Sequence, residues 1–371
     1  MNKIDSIDTL LVDIPTIRTH KLSMTTMSVQ TLVLVRMRFS DGIESWGEAT
    51  TIGGLNYGEE SPESIKTNID RYFTPLLLNA RSANPAQAMQ LLNHSIRGNR
   101  FAKCAVETAL LDAEGQRLGL PLSELLGGRL HDSLPVLWVL ASGDTAKDIA
   151  EAEKMIEARR HNIFKLKIGL RPIEEDVAHA VAVKKALGSN ISIRVDVNQA
   201  WNEQQAEKGI AMLQDGGIDL VEQPVAAHNR AALARLSARF STAVMADETL
   251  CGPYDVLTLA TAHTADVFSI KINQSGGITA AKLAGQVADL SGAALYGGTM
   301  LEGAVGTAAS AHVFSTFPHI EFGTELFGPL LLTEEILSEP LIYRDFRLQV
   351  PNAPGLGIKP DTEKIETLKR A

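Results

Sequence analysis

Apolar and polar positions near the start of the chain trace three short extended stretches, at residues 4–14, 29–39 and 43–49, and each predicts a strand. Helical spacing then takes over. One helix is predicted over residues 63–78 and a longer one over 99–118, where Gly119 and Pro121 supply a stop. The order predicts an α+β unit spanning residues 1–130.

From Leu134 onward the pattern becomes one of short apolar runs separated by amphipathic segments. The runs are PVLWVL (135–140), IFKLKI (163–168), ISIRVDV (191–197), IDLVEQ (218–223), AVMADE (243–248), VFSIKI (267–272), AALYGG (293–298) and HIEFGTE (319–325). Eight such runs predict an α/β fold, a TIM-like β/α barrel over residues 131–330, with the first unit as an N-terminal cap. Gly188 and Gly216 fall where two of the intervening helices would end. Residues 331–371 carry few helix signals until their end, and they are expected to pack back on the cap.

A parallel strand buried on both faces is apolar nearly throughout, so charged residues inside these runs need a reason. They recur with the repeat. From Lys167 the intervals are 29 residues to Asp196, 26 to Glu222, 25 to Asp247, 24 to Lys271 and then 54, or two units, to Glu325. Such spacing puts all of them at one end of successive strands, and the carboxyl ends form the active face of a barrel.

Asp196, Glu222 and Asp247 can then converge on one centre, where three hard oxygens suit Mg²⁺ or Mn²⁺ better than zinc. A single carboxylate at a strand end is more often a helix cap or a solvated loop residue. Three in consecutive repeats, flanked by lysine strands, reverse that weighting. Asn198 and Glu248 either brace these groups or serve simple turns. Lys165 and Lys167 lie two apart and share a face of their strand, which is either a solvated edge or the barrel interior. In the interior, Lys165 would lower the proton affinity of Lys167 and leave it able to act as a base, while nearby carboxylates oppose the shift. Lys271, four strands on, would place a second ammonium across the site. Glu325 either donates a proton or pairs with a lysine.

Composition narrows the partners. A formal net charge of −9 with no long basic block argues against nucleic acid or a membrane surface, but not against a small anionic substrate in a locally positive cleft. Asp5 and Asp8 interrupt any signal-peptide core, and no apolar run of membrane-spanning length follows. Two distant cysteines, Cys104 and Cys251, give neither a disulfide framework nor a thiolate metal site, so a cytoplasmic protein is expected. His20, His161, His263 and His312 lack metal spacing and read as structural or exposed. HExxH, Walker A, GxGxxG after a strand and GxSxG are all missing from the sequence.

KLK on the second barrel strand, DVNQ on the third, VEQP on the fourth, ADE on the fifth and KI on the sixth resemble the muconate-lactonizing branch of the enolase superfamily. LASGDTAKDIAEA, YGGTMLEG and GTELFGPLLLTEEI extend the likeness along the whole chain. The resemblance implies reversible cycloisomerisation of cis,cis-muconate to muconolactone through an enolate, in catechol catabolism. It further implies Asp196, Glu222 and Asp247 as metal ligands with Mn²⁺ as the ion, Lys167 as acid/base, Lys165 and Lys271 as enolate stabilisers and Glu325 as proton donor. Loops at 19–27 and 51–58 would close the barrel mouth, Ile52 and Tyr57 would touch substrate, and Tyr57 and Phe327 point to a non-chlorinated muconate. A homo-oligomer, typically an octamer, is implied as well. Alternatives within the superfamily are the chloromuconate enzymes, dipeptide epimerases and o-succinylbenzoate synthases.

Overall fold

The computed structural model describes residues 2–80 and 82–370. Strands β1 (Ile4–Lys21), β2 (Thr26–Phe39) and β3 (Glu44–Thr50) form an antiparallel sheet in chain order. The first two run further than their alternation predicts. Pairing continues to Pro15–Val29, breaks register, and resumes at His20–Met27 and Lys21–Thr26. Proline has no N–H to give to a ladder, so a break beside Pro15 is expected.

The Arg100–Leu118 helix covers one face of this sheet, bounded by Asn99 and Gly119 in the left-handed region at φ 55° and 70°. Gly47 lets them meet closely. A Cβ at that position would stand 1.9 Å from the carbonyl oxygen of Ala105. Residues 63–78, predicted as one helix, form α-helix Pro62–Asn68, a π turn Ile69–Phe73 and α-helix Thr74–Leu78, started by a Ser61/Ser64 capping box.

The run at 135–140 divides between two sheets. Its first part joins β4 (Ser133–Pro135), and its second is β5 (Trp138–Leu140), which opens a parallel sheet. That sheet continues in chain order through β6 (Ile163–Lys167), β7 (Ser192–Asp196), β8 (Leu220–Glu222), β9 (Ala243–Ala246), β10 (Val267–Ile270) and β11 (Ala294–Gly297). The eighth predicted strand does not form. Gly323, at φ 66°, turns the backbone out of the extended region, leaving Thr324 bridged in parallel to both Gly297 and Val136. Glu325 N–H donates to Gly297 O at 2.8 Å and Leu137 N–H to Thr324 O at 2.9 Å, so this irregular segment joins the two edges of the sheet.

Beyond the barrel, β12 (Tyr343–Arg344) pairs with β13 (Arg347–Gln349), which pairs with β4. The chain then returns to the cap: Lys369 bridges Val12, and Arg370 N–H donates to Leu11 O at 2.7 Å. Asp112 on the long helix accepts from Trp46 N–H at 3.0 Å and Leu356 N–H at 2.8 Å, tying cap sheet, helix and C-terminal segment together.

Cap and barrel also grip each other next to the strand ends. Gln30 Nε2 donates to Met300 O and Leu301 O at 3.1 and 3.0 Å, and Thr50 Oγ1 to Met300 O at 2.9 Å. Glu48 accepts from the N–H groups of Gly303 and Gly306 at 2.5 and 2.7 Å, satisfying donors that the Ala304–Phe314 helix leaves open at its start. Burial pushes the Glu48 carboxyl up to about 8.

His312, at the far end of that helix, is fully buried: Ser123 N–H donates to its Nδ1 at 3.2 Å and its Nε2 meets Leu356 O at 3.1 Å. Burial lowers its pKa to about 4. Because the folded value lies below the unfolded one, the unfolded chain binds more protons between pH 6.5 and 4, and this group's share of stability falls as pH falls through that window. Buried Asp112 and Glu48, with raised values, act with the opposite sign. The contribution therefore shows in a difference. Relative to a His312→Gln variant, the wild type should lose about 3 kcal/mol between pH 7 and pH 4, read from urea unfolding at both values. A constant difference would mean that the imidazole is not held neutral by the fold.

Candidate active site

β6 lies between β5 and β7, which removes the edge-strand reading of its lysines. Lys165, 1% exposed, points into the barrel, where its Nζ stands 2.9 Å from Glu222 Oε2, 2.7 Å from Glu325 Oε1 and 3.8 Å from Asp196 Oδ2. Burial opposes its charge, but the Glu222 and Glu325 carboxylates outweigh burial and hold its pKa well above the ordinary lysine value. The Glu325 alternatives thus meet in an ion pair with Lys165. Lys167, one turn of the strand pleat further out, places Nζ 2.5 Å from Asp196 Oδ2 and 3.4 Å from Asn198 Oδ1.

Register explains the ring. Lys167, Asp196 and Glu222 are successive partners across β6, β7 and β8, so the parallel ladder carries them to one level, and Asp247 follows directly after β9. Lys271, just past β10, lies across the barrel with Nζ 2.7 Å from both carboxylate oxygens of Asp247. Gly298 makes room for it: a Cβ there would fall 2.7 Å from Lys271 Cγ and Cε. Tyr57 from the cap completes this side, donating to Asp247 Oδ2 at 2.8 Å and accepting from Lys271 at 2.7 Å. Burial and then the Asp247 charge push its phenol well above the ordinary tyrosine value.

Asn198 takes part in bracing, with its N–H on Asp196 Oδ1 at 2.9 Å and its Nδ2 on Glu248 Oε1 at 3.2 Å. Gln223 Oε1 accepts from Asp247 N–H at 2.9 Å, which fixes the backbone that presents the carboxylate. Below the ring, Arg194 Nη1 donates to Phe322 O at 2.5 Å, steadying the irregular segment that carries Glu325.

The cavity above this ring is walled by seven charged groups (Lys165, Lys167, Asp196, Glu222, Asp247, Lys271 and Glu325) and Asn198, with Thr299 and Leu301 from the loop after β11, and with His20, Leu22, Ile52 and Tyr57 from the cap. The loops at 19–27 and 51–58 thus both reach the barrel mouth. Phe327 is not on this wall. It packs edge-on to Trp138 at 5.1 Å behind Glu325, because its N–H turns back to Glu325 O at 2.8 Å. His20, read from sequence as structural or exposed, is 1% exposed and lines the cavity. Burial and the Lys167, Arg18 and Lys165 charges lower its pKa to about 3, so the ring is neutral. No sequence spacing marks it, since a register break separates it from the regular part of β1.

As the side chains stand, no three Asp, Glu, His or Cys groups among the described residues are gathered into a ready coordination sphere, and the three ammoniums lie between the carboxylates. The charges do not balance, however. Five carboxylates (Asp196, Glu222, Asp247, Glu248 and Glu325) share the region with three lysines, a formal excess of two negative charges. Burial and then Asp196 push Glu222 well above the carboxylate range, and burial with Asp247 raises Glu248 to about 8, while Glu248 Oε2 has no partner among the described residues. Oxygen donors with a surplus of two charges fit a divalent cation.

Two family models match the chain, the mandelate racemase/muconate lactonizing enzyme N-terminal domain over residues 6–127 and the enolase C-terminal domain-like model over 147–365. The chain belongs to the enolase superfamily. Members of this superfamily depend on a divalent metal, in keeping with the charge surplus above. Muconate cycloisomerase 1 of Acinetobacter baylyi is 63% identical over 98% of this chain and 99% of its own length. A chloromuconate cycloisomerase of Cupriavidus pinatubonensis is 43% identical over 99% of both. The crystal structure of a Pseudomonas fluorescens muconate lactonizing enzyme complexed with muconolactone superposes with a TM-score of 0.98 at 57% identity, covering both chains fully. Among the described residues, no helix is long and apolar enough to cross a membrane.

Proposed function

We propose that this chain is a cycloisomerase that interconverts cis,cis-muconate and muconolactone with a divalent metal ion, as an intramolecular lyase of catechol breakdown. The observation that carries the reading is the ring itself: lysines on opposite barrel walls face each other across consecutive-strand carboxylates, in a chain 63% identical to a muconate cycloisomerase from end to end. The chloromuconate relative, at 43%, stands further off and favours the non-chlorinated substrate.

Asp196, Glu222 and Asp247 would hold the cation, with Mn²⁺ as the ion and Mg²⁺ as the alternative for the same oxygen donors. The ion supplies a Lewis acid for one substrate carboxylate. In lactonisation the other carboxylate adds to the alkene, the π pair moves toward the first carboxylate to give an enolate, and Lys167 protonates the adjacent carbon. In reverse, Lys167 takes that proton back. Lys165 and Lys271 stay charged and stabilise the enolate from two sides, and Glu325, paired with Lys165, orients its ammonium. Ile52 and Tyr57 close over the substrate. We further infer a cytoplasmic homo-oligomer, probed as an octamer; exposed Tyr254, Leu257 and Leu290 on the outer barrel helices supply apolar surface for association.

The test is the ultraviolet absorbance of muconate incubated with chelator-stripped protein, then with added Mn²⁺ or Mg²⁺. Metal-dependent decay with muconolactone as product is the expected result. Folded, metal-loaded protein that leaves muconate untouched would move the activity to another branch of the superfamily.

A further inference from the structure

A dicarboxylate held in this cavity presents two anionic ends, and the barrel ring accounts for one of them. What meets the other is decided by the polar groups left free on the wall. Tyr57 Oη is taken by Asp247 and Lys271, Thr299 Oγ1 donates to Glu302, and Asn198 spends its side-chain amide on Lys167 and Glu248. Each ammonium is already paired with a carboxylate. The side chains of Leu22, Ile52 and Leu301 offer no polar atoms. Among the side chains on the wall that leaves His20: its Nδ1 is buried with no partner among the described residues, and the ring lines the cavity.

The fold holds that ring in place. Arg18, two residues earlier and so on the same side of β1, donates from Nη2 to Val139 O on β5 at 2.7 Å, pairs with Glu151 at 3.2 Å and lies 5.8 Å over the Trp138 ring. His20 pairs with Met27 across the turn that follows. The imidazole is therefore pinned between a clamp on the barrel rim and a closed hairpin, and a buried polar group without a partner is costly unless a ligand satisfies it.

We propose that His20 donates a ring N–H to the second carboxylate of the substrate, the one that would not face the cation held by Asp196, Glu222 and Asp247, and thereby selects dicarboxylates over monocarboxylates. The inference rests on the functional reading above and adds to it a recognition residue on the cap. During lactonisation one oxygen of this carboxylate forms the new C–O bond, and the π pair of the attacked alkene moves toward the other end of the substrate. Lys167 delivers the proton to the carbon beside the one attacked. The second oxygen becomes the lactone carbonyl, and the His20 hydrogen bond stays on it throughout, orienting the nucleophile before attack.

Calorimetric titration of the Mn²⁺-loaded wild type and of His20→Leu with adipate and with hexanoate tests this. Adipate carries both carboxylates and hexanoate one on a chain of the same length. In the wild type adipate should bind about 10- to 100-fold more tightly, the range of a hydrogen bond to a charged group. In His20→Leu that ratio should collapse toward unity with hexanoate affinity unchanged, and His20→Gln, which keeps an N–H, should recover part of it. Should His20→Leu not fold, His20→Phe reads the same ratio. A wild type without the preference, or a ratio that survives loss of the imidazole, overturns the proposal, as does an equal loss for both ligands. Muconate turnover by the wild type tests the function separately, because the adipate-to-hexanoate ratio is read whether or not muconate reacts.

Discussion

Lys167→Ala is expected to lower kcat for muconate by about 100- to 10,000-fold, the usual range for a positioned acid/base group, while leaving Mn²⁺ binding in place. The two β6 lysines differ in how they are held. Lys165 is saturated by Glu222 and Glu325 and is the more deeply buried, whereas Lys167 keeps 10% of its side chain exposed and touches a single carboxylate, Asp196. A group that must give and retake a proton at a carbon cannot be locked between two anions. Lys167 is thus the residue whose loss should remove chemistry rather than architecture. Muconate absorbance in a stopped-flow cell and Mn²⁺ titration of the same variant check the two halves of the statement. Turnover within tenfold of the wild type would exclude Lys167 as the acid/base.

Lys165→Met should do the reverse, with its largest effect on stability. Removing the ammonium leaves Glu222 and Glu325 buried side by side without a counter-charge, and breaking one partner of a buried pair costs about 3–5 kcal/mol. In stripped protein the variant should unfold at correspondingly lower urea. Divalent metal should shrink the gap, because a cation among the carboxylates supplies part of the missing charge. A variant as stable as the wild type without metal would mean that the carboxylates relax by taking up protons instead.

Much of this was legible in the residues. Charged side chains interrupting otherwise apolar runs at about one β/α repeat marked Lys167, Asp196, Glu222, Asp247 and Lys271, and the ladder places them at one level because parallel strands keep register from unit to unit. Periodicity failed where local backbone overrides it. The run at 319–325 looks extended, but Gly323 at φ 66° leaves only Thr324 to bridge. Phe327 fell behind the site because the chain reverses immediately after Glu325. His20 was read as structural or exposed because it sits on a cap segment whose cavity neighbours lie on the barrel, a relation of distant segments that no short window of sequence contains. Glu48 and Gln30 are invisible for the same reason, since their partners lie more than 250 residues away.

The return of the C-terminal tail to β1 has a bearing on how the molecule comes into being. Ile4–Lys21 is made before the barrel, yet its outer neighbours include Lys369 and Arg370, which are made after it, with Arg370 binding Asp13 at 2.7 Å. On the ribosome the nascent cap therefore waits for the whole barrel to be synthesised before its rim is finished. Long-range pairings of this kind are slow to form. The charged ring at the strand ends, roofed by His20, Ile52 and Tyr57 of the cap, consequently takes its final form only after cap and barrel have both been made.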